Sequence, residues 1–79
     1  MKKNIQMPKL SEQMESGVLA SWNKEVGEVV KKGEVLFEIE TEKVVSEVES
    51  MESGVLEAVF FEAGDEIKTE EIIAVINCD

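Results

Sequence analysis

Met14-Glu15-Ser16-Gly17-Val18-Leu19 returns as Met51-Glu52-Ser53-Gly54-Val55-Leu56, an offset of 37 residues in a chain of 79. At that offset Glu25 falls on Glu62, Gly27 on Gly64, Lys31 on Lys68, Glu34 on Glu71 and Ile39 on Ile76. Conservative pairs fill the gaps: Glu28 with Asp65, Val30 with Ile67, Val35 with Ile72, Leu36 with Ile73. This is a duplicated supersecondary unit. Two copies are too few for a solenoid. They fit one closed domain over residues 1–79, with repeat halves of about 1–40 and 41–79 and a pseudo-twofold axis. The seam Glu40-Thr41-Glu42-Lys43-Val44-Val45 has no internal counterpart. A specialised role is expected there.

The apolar pattern around the repeat has period two, which is the strand signature. Val35, Phe37 and Ile39 alternate with Leu36, Glu38 and Glu40, and Val48 stands between Glu47 and Glu49. β-branched and aromatic residues dominate the runs. Gly-containing clusters at 15–17, 26–28, 31–34, 52–54 and 63–66 read as turns. The spacing predicts eight strands, at 5–7, 17–22, 28–30, 35–40, 44–49, 54–61, 66–68 and 72–76, and no long helix. Two units of four strands give an all-β fold: two four-stranded antiparallel sheets packed as a sandwich or flattened barrel. Pro8 ends the first strand for want of an amide. The tract from Lys9 to Ser16 is the longest loop, and long loops often carry recognition.

Eighteen acids against eight bases give a formal charge of −10. That excludes a nucleic-acid partner, whose phosphates need Lys and Arg, and an anionic membrane surface. It suits a soluble module whose partners present basic surfaces, or serves plain solubility. Cys78 is the single cysteine, so no internal disulfide forms, which fits a reducing compartment or one where no bridge is needed. It reads as a frayed, incidental thiol. Met1-Lys2-Lys3 is followed by no apolar h-region. With no His, no Tyr and no spaced ligand set, the chain offers neither a metal site nor a nucleophile–base pair, so it is expected to be non-catalytic.

Residues 35–49 read as a hairpin. With Glu42 and Lys43 central, Thr41 pairs with Val44, Glu40 with Val45, Ile39 with Ser46 and Phe37 with Val48. The inward face is then Val35, Phe37, Ile39, Ser46 and Val48. The turn lacks Gly and Asn, which favours type I over type I′. Lys43 is expected at the tip, exposed on a rigid support. Glu40, Glu42 and Glu47 favour its charged ammonium. A self-activating nucleophilic lysine needs the opposite surroundings. If Lys43 is acylated, another enzyme must do it.

The stretch Glu38-Ile39-Glu40-Thr41-Glu42-Lys43-Val44 resembles the lipoylation hairpin of lipoyl domains from 2-oxo acid dehydrogenase acyltransferases, whose pattern is Glu-Thr-Asp-Lys-Ala. Met7-Pro8-Lys9-Leu10-Ser11 is similar to the family's first strand and loop. Residues 25–34 resemble its Gly-Asp-x-Val-x-x-Gly segment, and Gly54-Val55-Leu56 with Ala63-Gly64-Asp65-Glu66-Ile67 resemble its second half. Glu42 for Asp and Val44 for Ala are departures that bear on the rate of modification and the choice of ligase.

The resemblance implies lipoate in amide linkage on Lys43, presented by Thr41, Glu42 and Val44. The partners it implies are a lipoate-protein ligase or lipoyl transferase, a thiamine-diphosphate decarboxylase, an acyltransferase core and a flavin-dependent dihydrolipoamide dehydrogenase. The domain itself would be monomeric. It would shuttle acyl groups and electrons in the bacterial cytoplasm or the mitochondrial matrix. The loop Ser11-Glu12-Gln13-Met14-Glu15-Ser16, which in the family lies near the hairpin, would contact the decarboxylase together with Glu40 and Glu42. A biotin carrier is the nearest alternative, but its lysine typically stands between methionines, whereas Lys43 stands between Glu42 and Val44. An unmodified adaptor of the same fold is a second alternative. Met14 and Met51 correspond through the repeat and read as core or turn-flanking. Trp22 aligns with Val59 and reads as buried.

Overall fold

The computed structural model describes residues 1–9, 15–42 and 44–78. Among them every regular element is a strand: β1 (Lys2–Gln6), β2 (Ser16–Trp22), β3 (Val29–Val30), β4 (Val35–Thr41), β5 (Val44–Glu49), β6 (Gly54–Val59), β7 (Glu66–Lys68) and β8 (Ile72–Asn77). They form two antiparallel four-stranded sheets, ordered β1-β8-β6-β3 and β5-β4-β2-β7. The inner faces close on Leu19, Phe37, Ile39, Leu56, Ile73 and Ile76, each fully buried. The all-β sandwich expected from the alternation is the observed fold.

The repeat holds at the level of register. β2 meets β4 with a bulge between Leu19 and Ser21, and β6 meets β8 with a bulge between Leu56 and Ala58. Val29 pairs with Val55 where Glu66 pairs with Val18. Turn hydrogen bonds repeat too: Gly27 N donates to Leu56 O, and Gly64 N donates to Leu19 O, both at 2.8 Å. The last hairpin pair, Thr41 with Val44, has its counterpart in Cys78, whose amide donates to Met1 O at 2.7 Å. The chain ends therefore occupy the place of a second hairpin link, across the pseudo-twofold axis from the seam.

Several expectations need correction. β1 begins at Lys2, not at residue 5, because β8 offers a partner as far as Asn77. Met7 has left the strand but is buried. β6 ends at Val59, so Phe60 and Phe61 lie beyond it. Leu36, assigned outward by strict alternation, is fully buried. A bulge between Val35 and Phe37 turns two successive side chains inward, which is what an extra residue in one strand does. Gly17 and Gly54, which close the predicted turns and open the predicted strands, lie in strands. A Cβ at Gly54 would overlap the Asn77 carbonyl. Cys78 is not frayed: it is half-buried and packs against the core. Met51 is 70% exposed, so of its two readings the turn-flanking one holds. Trp22 is only half-buried. Its indole N–H donates to Phe61 O at 3.0 Å, and its ring tilts against Phe37 at 5.2 Å.

Candidate functional site: the β4–β5 hairpin

The hairpin has the register read from the sequence: Phe37 with Val48, Ile39 with Ser46, Glu40 with Val45 and Thr41 with Val44. Phe37 and Ile39 anchor β4 in the core, while Val44 and Val45 at the start of β5 are exposed. Burying one face of β4 fixes its register, because a one-residue slip would expose both anchors. From Phe37 and Val48 onward, strand pairing runs regularly to the last pair before the link. The Thr41 hydroxyl donates to Val44 O at 3.5 Å, a weak cross-link over the mouth of the hairpin.

The outer face of this sheet is acidic. Glu38 lies directly opposite Glu47. A further row runs across the sheet as Val45, Glu40, Val18 and Glu66. Beside the link is an open groove of ≈ 350 Å³ lined by Ser16, Val18, Glu40, Thr41, Glu42 and Glu66. The Ser16 hydroxyl donates to Glu66 Oε2 at 3.0 Å and holds that carboxylate in the wall. No group of metal-ligating side chains occurs among the described residues.

Of the site residues expected from sequence, Thr41, Glu42 and Val44 meet at the hairpin mouth. Lys43 and the turn type assigned to it lie outside the described residues, as do Ser11, Glu12, Gln13 and Met14. Glu15 is exposed, and its carbonyl accepts the Thr69 amide at 3.0 Å. Ser16, the last residue of the loop expected near the hairpin, lines the groove, whereas sequence reasoning missed Val18 and Glu66 as neighbours of the hairpin. Glu66 comes from the other repeat, and its one signal was a charge where the first repeat has Val29.

A hairpin with this register in a duplicated eight-strand sandwich has known relatives. The family model for biotin and lipoyl attachment, described as "Biotin-requiring enzyme", matches residues 3–76. The chain belongs to this biotin/lipoyl family. Within it, the fold is similar to the solution structure of the lipoyl domain of the 2-oxoglutarate dehydrogenase complex from Azotobacter vinelandii. The TM-score is 0.77 at 34% identity, covering 94% of each chain.

Two curated relatives share part of the sequence. One is the dihydrolipoyllysine-residue acetyltransferase component of the pyruvate dehydrogenase complex of Rhizobium meliloti, 53% identical over 47 residues. The other is the dihydrolipoyllysine-residue succinyltransferase component of the 2-oxoglutarate dehydrogenase complex of Staphylococcus aureus, 46% identical over 46 residues. These matches cover 60% and 58% of this chain but only 10% and 11% of the relatives.

Proposed function

We propose that residues 1–79 form a lipoyl carrier domain with lipoate in amide linkage on Lys43. The observation that carries this reading is the regular β4–β5 register from Phe37 and Val48 to Thr41 and Val44, which bracket Glu42-Lys43 in sequence. The open groove and the exposed Val44 leave an incoming ligase room on both sides of the link. The similarity to a lipoyl domain and to two dihydrolipoyllysine-bearing components favours lipoate over biotin. So do the flanks of Lys43, which carry no methionine.

When bound, lipoate supplies a redox-active dithiolane that accepts an acyl group and delivers it elsewhere. The protein's own task is presentation. Phe37 and Ile39 anchor the hairpin in the core. Tethering raises the effective concentration of the arm at successive active sites. The domain performs no bond-making of its own and serves the active sites of a 2-oxo acid dehydrogenase-type complex. Its partners are the ligase, a thiamine-diphosphate decarboxylase, an acyltransferase core and a dihydrolipoamide dehydrogenase, in the bacterial cytoplasm or the mitochondrial matrix. No helix among the described residues is long and apolar enough to cross a membrane.

The test is a one-residue move of the amine. Glu42→Lys with Lys43→Glu keeps composition and net charge. A ligase that reads the folded hairpin loses activity on this variant. Lipoylation at the wild-type rate would mean that it reads only a linear motif.

A further inference from the structure

The repeat is an internal control. Where two segments share one backbone, a chemical difference between them is not demanded by the fold. Residues 23–35 and 60–72 are such a pair. Both keep the same turn bonds: Lys31 N donates to Glu34 Oε1 at 2.7 Å, and Lys68 N donates to Glu71 Oε1 at 2.9 Å. Their chemistry differs. Asn23, Lys24 and Val35 correspond to Phe60, Phe61 and Ile72. In the first segment Lys24 lies 3.4 Å from Glu34, and three acids balance three lysines. In the second, Phe61 replaces that lysine and packs against the core, Glu71 lacks the cation, and five acids stand against one lysine.

Phe60 is left 57% exposed and Ile72 41% exposed. Exposed Asn23 demonstrates that this backbone accepts a polar residue in the place of Phe60. Their backbones meet at one corner: Phe60 N donates at 2.9 Å to the carbonyl of Ile73, the residue after Ile72. That corner connects to the hairpin. Glu71 N donates to Lys68 O, Lys68 pairs with Ser16, and Glu66 pairs with Val18, the neighbour of Glu40.

We propose that Phe60, Ile72 and the carboxylates around them dock a cationic, apolar-studded segment of the thiamine-diphosphate decarboxylase that acts at the Lys43 hairpin. This rests on the carrier reading above. An exposed aromatic is the residue type that anchors interfaces, and the acidic surround selects a basic partner and speeds encounter. A second copy is the wrong occupant, because two chains of charge −10 repel. The contact is small and short-lived, as a carrier visiting several sites requires.

The first test uses the unmodified protein, titrated with a synthetic amphipathic Lys/Leu helix and followed by amide chemical shifts. Shifts are expected at residues 60–62 and 70–73, well above those at the counterpart positions 23–25 and 33–36. Equal shifts in both segments, or shifts centred on Glu38, Glu40 and Glu47, overturn the proposal. This arm needs neither a variant nor a modified lysine.

The second test uses the lipoylated protein as substrate for a thiamine-diphosphate 2-oxo acid decarboxylase. Phe60→Asn with Glu71→Gln is expected to raise KM roughly fivefold at low salt, with kcat unchanged and the effect shrinking as salt rises. An unchanged KM at low salt overturns the proposal. If wild-type protein takes no lipoyl group at all, the carrier reading fails, and the peptide titration still decides the docking surface.

Discussion

Glu70 has φ 73° at the position where the repeat places Gly33, with φ 95°. The turns are otherwise equivalent: Gly33 N donates to Ser50 O, and Glu70 N donates to Met7 O. A side chain in the left-handed region costs about 1–2 kcal/mol, which glycine avoids. Part of that is offset by glycine's freedom in the unfolded chain. Glu70→Gly is therefore expected to stabilise by about 1 kcal/mol, a rise in Tm of about 4–8 °C for a domain of this size. Thermal unfolding checks it, and a fall in Tm would show that the glutamate makes compensating contacts.

Gly54→Ala should do the reverse. The added methyl meets the backbone carbonyl of Asn77 and the Ile76 side chain, and a paired strand cannot step aside cheaply. The expected cost is about 1–3 kcal/mol, read as a lower midpoint in urea. An unchanged midpoint would mean that β6 and β8 are spaced more loosely than described.

Leu36→Ala tests the bulge. A side chain on the solvent face would lose under about 0.5 kcal/mol, whereas a fully buried leucine loses about 2–5 kcal/mol. Denaturation against a Val45→Ala control separates the two.

Much of this was readable in the chain. The 37-residue repeat and the two-residue alternation give both sheets, and the seam gives the hairpin register pair by pair. Leu36 escaped because alternation assumes a regular ladder, and bulges arise where packing between sheets requires them. Cys78 looked frayed because its tie to Met1 joins the two ends of the sequence. The groove beside the hairpin was invisible because Glu66 reaches it through a β2–β7 pairing between repeats.

Acid should reveal the Lys31 turn. The Lys31 amide bonded to Glu34 holds that carboxyl below its ordinary value of 4.5, with desolvation opposing and Lys24 assisting. A depressed folded pKa means that the stabilisation is complete above the ordinary value and lost as pH falls through the folded one. The Tm difference between wild type and Glu34→Gln should therefore shrink as pH drops below 4.5. A difference independent of pH would assign the effect to packing.

The central claim is that Lys43 carries lipoate. The most direct measurement is the intact mass of wild-type and Lys43→Arg protein from lipoate-fed cells expressing lipoate ligase, with a parallel culture supplying biotin and biotin ligase. Arginine keeps the charge but offers no amine that can be deprotonated. The account predicts one lipoyl increment on the wild type, none on Lys43→Arg, and no biotin on either. A lipoyl increment that persists in Lys43→Arg, or a wild type that takes biotin instead, would contradict it.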